Sequence, residues 1–290
     1  MFRVIEFSAR KNHTCIYVNF ALEETMKGII CCYSNTGNTK LACRYIAGRV
    51  GSMDFTVHDI IKDGPVDFTQ YDLVGFAAFA DFLRPSPLYM RYIRGIPLQQ
   101  GKPAFAFNTF GNFNGATLAA LGGAIRKRGF TLIGAHALHT PENIATMICM
   151  GIANEQAPNE KELAAFNRFI ERLDQKVQRL NGYGNGLPLS CRLPVFGRLI
   201  PGIPRFIAKS AMGPKFVDEN LCTRCGVCVK VCPAGAVTMS DRPHFAEEKC
   251  EFCWSCYNHC PQKAIYTKKY RGRGHYPRPL DALAEKLRVG

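Results

Sequence analysis

Four cysteines, Cys222, Cys225, Cys228 and Cys232, the last followed by Pro233, recur after a shift of 28 residues as Cys250, Cys253, Cys256 and Cys260, the last followed by Pro261. Ala236-Val237 and Ala264-Ile265 match under the same shift. No other feature restricts so strongly what this 290-residue chain can fold into, because eight of its 14 cysteines must be satisfied within one short stretch. Disulfides are a poor account of them. Disulfide-stapled secreted domains are short and begin with a charged, then apolar, then small-residue leader, and no such leader opens this sequence. The reading is therefore a reducing cytoplasm, in which clustered thiolates bind metal.

The spacing C-x2-C-x2-C-x3-C-P, twice over, resembles that of two-cluster 4Fe-4S ferredoxins. A cubane presents four iron corners, so three closely spaced thiolates wrap one face while a distant one closes the site. Structural zinc sites use two pairs of ligands instead, which the doubled three-plus-one pattern does not supply. The resemblance implies crossed ligation: Cys222, Cys225, Cys228 and Cys260 hold one cluster, and Cys250, Cys253, Cys256 and Cys232 hold the other. Turn-compatible residues such as Gly226 let backbone N–H groups point at sulfur, and the two prolines fix the chain's exit. Trp254 and His259 sit beside ligands, with core packing for Trp254 and a solvent or backbone contact for His259 as their expected roles, and tuning a cluster or gating an electron as the alternative. A unit built this way is expected to unfold without metal.

Upstream, short apolar runs alternate with helical patterns: GIICCY, DFTVHDI, YDLVGFAAF, KPAFAFNT and FTLIGAHAL, four of them followed by amphipathic segments. Five continuous apolar runs with crossover helices predict a doubly wound parallel sheet, covered on both faces. Residues 139–158 exceed an ordinary connection and are expected to be functional. Asn181 to Gly186 breaks the last helix and opens a basic, Gly- and Pro-rich linker. The expected organisation is an N-terminal extension at 1–25, a sheet domain at 26–180, the linker at 181–213, the cysteine domain at 214–268 and a basic tail at 269–290. Residues 1–25 lack a clear period, and Met26 is expected to be the native start; an additional strand or arm is the alternative. No run of ~18 apolar residues predicts a spanning helix. Residues 187–212 carry Arg192, Arg198, Arg205 and Lys209 without an acid, so they either dock peripherally on a membrane or pack across both domains with their cations in water.

Directly after the first strand comes Ser34-Asn35-Thr36-Gly37-Asn38-Thr39, which resembles the flavodoxin signature [Ser/Thr]-x-Thr-Gly-x-Thr. Successive backbone N–H groups and short hydroxyls at a helix N-terminus suit a phosphate dianion, and Gly37 allows close approach. The resemblance implies FMN, its ring flanked by the loops after strands three and four. Those loops bring Phe79, Asp81 and Phe82, and Thr109, Phe110, Gly111 and Asn112. Flavodoxins usually stack Trp or Tyr on the ring, whereas these loops offer only Phe. Cys31, Cys32 and Cys43 are expected in the core, and His136 and His139 as structural groups.

The two halves together resemble fused flavodoxin/ferredoxin proteins of anaerobes. That resemblance implies an electron-transfer protein carrying two 4Fe-4S clusters and FMN, with no catalytic residue or substrate identified. The alternative is a ferredoxin whose sheet domain lacks flavin and serves as a docking module. The formal charge of +14 falls to about +8 once clusters and phosphate are counted, which points to acidic redox partner proteins rather than nucleic acid. Lys268-Lys269-Tyr270-Arg271-Gly272-Arg273 is the candidate docking patch, with a solvated terminus as the alternative.

Overall fold

The computed structural model describes residues 26–182, 190–193 and 202–289. The expected N-terminal extension, and residues 187–189 and 194–201 of the basic segment, lie outside these. Continuous apolar runs form the parallel strands β1 (Lys27–Cys32), β2 (Asp54–Asp59), β3 (Leu73–Asp81), β5 (Pro103–Phe110) and β6 (Thr131–His139), joined in the order β2-β1-β3-β5-β6. A two-residue strand, β4 (Arg84–Pro85), turns back antiparallel on β3. The order reverses between β1 and β3, where an open α/β sheet leaves a crevice at its carboxyl edge.

Alternate residues of β1 serve opposite faces, and both faces are buried. Ile30 and Cys32 join one core with α1 (Asn38–Arg49) and α5 (Glu160–Leu180), while Ile29 and Cys31 join the other with α2 (Pro87–Gly95) and α3 (Thr117–Lys127). Cys43 is buried in the first core. The Asn159 and Glu162 side chains cap the N-terminus of α5 reciprocally, at 2.9 and 2.8 Å, satisfying donors that the helix itself leaves open. His136 stacks against Phe166 and Phe169, and burial pushes its pKa down to about 4, so the ring is a neutral wall. His139 stacks on Phe110 and bonds Glu162.

The cysteine-rich unit follows α6 (Arg205–Met212). Two ladders build it: β7 (Lys215–Val217) with β10 (Ile265–Thr267), and β8 (Val237–Met239) with β9 (Pro243–Phe245). One short helix stands in each half, α7 (Val227–Lys230) and α8 (Ser255–Asn258). Lys268, Lys269, Arg271 and Arg273 of the basic patch are exposed, although Lys269 bonds the Ser210 carbonyl and Arg271 pairs with Asp218. Beyond Gly274 the chain does not run free as a tail. It returns to the sheet domain, burying Tyr276, and α9 (Asp281–Lys286) sinks Leu283 and Leu287 into the core between α1 and α5. Among the described residues no helix is long and apolar enough to cross a membrane.

Candidate cluster and phosphate sites

The eight repeat cysteines divide between two cavities in the crossed pattern. Cys250, Cys253, Cys256 and Cys232 line one cavity, and Cys222, Cys225, Cys228 and Cys260 line another. Backbone conformation repeats with the sequence. Arg224 and Phe252 have φ of 56° and 54°, Gly226 and Trp254 73° and 62°, and Gly235 and Lys263 60° and 51°. These left-handed turns curl each loop around its cavity, and a glycine in one half is matched by a tryptophan or lysine in the other. N–H groups aim at sulfur as the wrapping requires: Phe252 to Cys250 at 3.3 Å, Ala236 to Cys232 at 3.2 Å and Ala264 to Cys260 at 3.2 Å. Burial pushes the Cys253 thiol up to about 12 and raises Cys256 as well. Thiols so desolvated give up their protons to a metal, which stabilises the thiolates directly. The donor set and N–H···S contacts fit a cubane in each cavity.

The cavities differ in their surroundings. Cys225 is exposed, whereas Cys253 is half-buried, with its carbonyl bonded by Asn35 of the sheet domain. We call them the outer and inner cavities. The inner one also receives Lys215, whose side chain is 3% exposed and pairs with Glu247 at 3.4 Å. Burial alone lowers the pKa of this lysine, but Cys250, Cys256 and Glu247 outweigh it and leave the ammonium above its ordinary value.

The crevice at the sheet's carboxyl edge holds about 390 Å³ and is lined by Ser34, Asn35, Thr36, Asn38 and Thr39, with Phe79, Thr109, Phe110 and Gly111 opposite. Gly37 caps α1 at φ 102°, and its N–H donates to Ser34 Oγ at 3.2 Å. The first N–H groups of α1 have no preceding carbonyl to meet, which is the arrangement an anion occupies. Side chains of the loop are committed elsewhere: Asn38 donates to the Pro141 carbonyl, Thr36 accepts from Asn143, and Thr39 bonds Thr109. The residues therefore fit a phosphate through their backbone rather than through those side chains.

Three expected ring contacts need correction. Asp81 and Phe82 do not line the crevice, because the chain takes φ of 51° at Phe82 and 68° at Leu83 to enter β4, carrying both side chains to Arg205. Arg205 forms a two-bonded ion pair with Asp81 and lies 5.7 Å above the Phe82 ring. Burial pushes the Asp81 pKa up to about 6, with Arg205 opposing it. Asn112 bonds the Ile152 carbonyl and Asn154 instead. Their places are taken by Thr140, Pro141, Glu142, Asn143 and Ile144, from the long connection after β6.

One polar chain joins the phosphate loop to the inner cavity. Asn35 Nδ2 donates to the Cys253 carbonyl at 3.0 Å. Asn143, which reaches Thr36, accepts at its carbonyl from Asn258 of α8; Asn258 Oδ1 accepts from Tyr276 N–H, and the Tyr276 hydroxyl donates to Asn38 Oδ1. No motif or spacing in the sequence marks Lys215, Asn258 or Tyr276 as part of a site. For Asn143 the one signal is the length of the 139–158 connection that carries it.

Sequence comparison with known proteins bears on the cysteine-rich unit. The family model described as "4Fe-4S binding domain" matches residues 215–238 and again 243–266. The chain joins a parallel sheet in the doubly wound β2-β1-β3-β5-β6 order to a region matched twice by this 4Fe-4S binding model. An ion-translocating oxidoreductase complex component from Methanosarcina acetivorans is 44% identical over 52 residues, 18% of this chain and 20% of that protein. A ferredoxin from Pyrobaculum islandicum is 37% identical over 51 residues, 17% of this chain and 48% of that protein. The chain thus spans less than half the length of either relative. The structure of a flavodoxin from the domain Archaea is 18% identical and covers 53% of this chain and 99% of its own, with a TM-score of 0.39.

Proposed function

We propose that this is an electron-transfer protein relaying electrons between two 4Fe-4S clusters and an FMN. Cys222, Cys225, Cys228 and Cys260 hold the outer cluster; Cys250, Cys253, Cys256 and Cys232 hold the inner one. The backbone of Ser34 to Thr39 receives the FMN phosphate, and Phe79 and Phe110 stand where a ring can stack. The flavin supplies exchange between one-electron and two-electron chemistry. The observation that carries the reading is the Asn35 to Cys253 bond, since it ties the phosphate loop directly to an inner-cluster ligand. The exposed Cys225 makes the outer cluster the one that meets external redox proteins, acidic ones given the exposed cations of residues 268–273. A cytoplasmic setting follows from eight thiols kept reduced for metal.

One observation favours the alternative of a flavin-free docking domain: the Glu142 carboxylate lines the crevice and holds Asn112 N–H at 3.0 Å. Anaerobic purification with iron, sulfide and flavin counted per chain separates the two. Flavin released on denaturation supports the relay, and iron with sulfide but no flavin supports docking alone. In the relay, Cys225→Ser and Cys253→Ser each abolish flavin reduction by a low-potential donor. Undiminished reduction refutes it.

A further inference from the structure

The two halves of the cluster domain are near copies in backbone, so the places where their side chains break the 28-residue symmetry are informative. Lys215 opens β7 and lines the inner cavity; the residue related to it by the repeat is Pro243, which lines the outer one. Phe252, over whose ring the Lys215 ammonium lies at 5.0 Å, corresponds to Arg224, an exposed side chain. Phe245, at 5.9 Å from the same ammonium, corresponds to Val217. The inner cavity therefore has a cation set against two phenyl rings in the same wall that Cys250 and Cys256 line. Among the described residues lining the outer cavity, the single cation is Arg224, which stands in water.

Packing alone does not call for this arrangement. A lysine carried to 3% exposure beside apolar rings costs desolvation, and a methionine fills the same space without it. Its ion partner Glu247 is the more exposed of the pair, at 28%, so solvent screens the acid more than the cation. What the cation does here is electrostatic. Adding one electron to a cluster makes it more negative, and a fixed positive charge in a low-dielectric pocket favours the reduced form.

Resting on the proposed two-cluster reading, we propose that Lys215 raises the reduction potential of the inner cluster relative to the outer one. It thereby makes electron transfer run inward, toward the phosphate loop. The electron balance is simple. An external one-electron donor is oxidised as the outer cluster is reduced. The outer cluster is then reoxidised as the inner one takes the electron, with no proton or bond involved. Lys215 acts as a positioning charge and takes no electron itself.

The test is a mediated redox titration of the anaerobic holoprotein, with dithionite as reductant and the clusters followed by electron paramagnetic resonance. Two one-electron waves are expected in the wild type. Lys215→Met lowers one wave and leaves the other, shifting the partition of an electron between the clusters at least tenfold, which for one electron is about 59 mV. Glu247→Gln removes the opposing charge and moves the same wave upward. Lys215→Arg keeps the charge and stays near the wild type. Waves that do not move in Lys215→Met, or that move upward, overturn the inference. Where Lys215→Met fails to assemble clusters, a Glu247→Gln wave that stays in place or falls overturns it equally. Wild-type protein without iron and sulfide defeats the cluster reading itself, a failure told apart by the iron count.

Discussion

Replacing Tyr276 by Phe removes a single oxygen from the junction between the C-terminal segment and the phosphate loop, and the cost follows from the two hydrogen bonds that oxygen makes. The hydroxyl donates to Asn38 Oδ1 at 3.0 Å and accepts from the Leu280 N–H at 3.3 Å. Tyr276 is 4% exposed and Asn38 5%, so the substitution leaves the Asn38 amide oxygen buried without this donor. An orphaned buried acceptor costs about 1–3 kcal/mol. Leu280 is only half-buried, so its N–H can turn to water at small cost. Asn38 is the first residue of α1, and its backbone N–H belongs to the turn proposed to receive the phosphate. Loosening Asn38 is therefore expected to weaken FMN binding by up to the same free energy, roughly 5- to 150-fold in Kd. Flavin fluorescence titration of the flavin-free protein reads the affinity, and urea denaturation of the same sample reads the stability. Tyr257→Phe is the control: its hydroxyl donates to the Arg273 carbonyl at 2.6 Å, away from the loop. That change should alter stability without altering flavin affinity. Tyr276→Phe protein with wild-type stability and wild-type affinity refutes the reasoning.

Three further outcomes are expected. Gly37→Ala places a Cβ 2.8 Å from Pro279 Cδ at φ 102° and should destabilise the sheet domain by about 1–3 kcal/mol, whereas Gly51→Ala, with open space around it, should be near neutral in the same urea titration. Asp81 is held at about 6, above its unfolded value, so its contribution to stability is present below pH ~4 and lost as pH rises through 6. Arg205→Met removes the opposing guanidinium and raises that carboxyl further, so melting temperatures of the variant should go on falling at pH values where the wild type has levelled off. Level curves at the same pH in both proteins count against this assignment. Stripping iron with a chelator under reducing conditions should abolish amide protection over residues 215–267 and spare the sheet, as hydrogen exchange would show; protection retained in both regions contradicts a metal-held fold.

The sheet could be read from sequence because its strands are covered on both faces, which makes each an unbroken apolar run. The 4Fe-4S binding region could be read because the spacing of its cysteines has few other uses. Other features depend on contacts that spacing does not encode. β4 is two residues long and has no period, yet the turn before it removes Asp81 and Phe82 from the crevice and gives them to Arg205. α9 is too short for an amphipathic pattern, and its segment reads as a polar tail until Leu283 and Leu287 are seen between α1 and α5. Asn38 matches a phosphate-loop signature by position. Its side chain is nonetheless spent on Pro141 and Tyr276, 103 and 238 residues away.

The side chains at the domain junction share one property that bears on electron transfer. Asn35, Asn38, Asn143 and Asn258 are all short amides, and each takes part in a hydrogen bond across the junction: Asn35 to the Cys253 carbonyl, Asn258 to the Asn143 carbonyl, and Asn38 Oδ1 from the Tyr276 hydroxyl. Longer partners such as Lys or Glu could make comparable hydrogen bonds from a range of separations, because several rotatable bonds absorb the difference. An asparagine has two, so its hydrogen bonds form only over a narrow range of backbone distance. A charged pair would also add a fixed field beside the inner cavity, where Lys215 already supplies one. Neutral, short groups fix the spacing between the phosphate loop and the Cys253 loop without changing the electrostatics of either. That combination suits the proposed relay, in which rate would depend on distance and direction on charge.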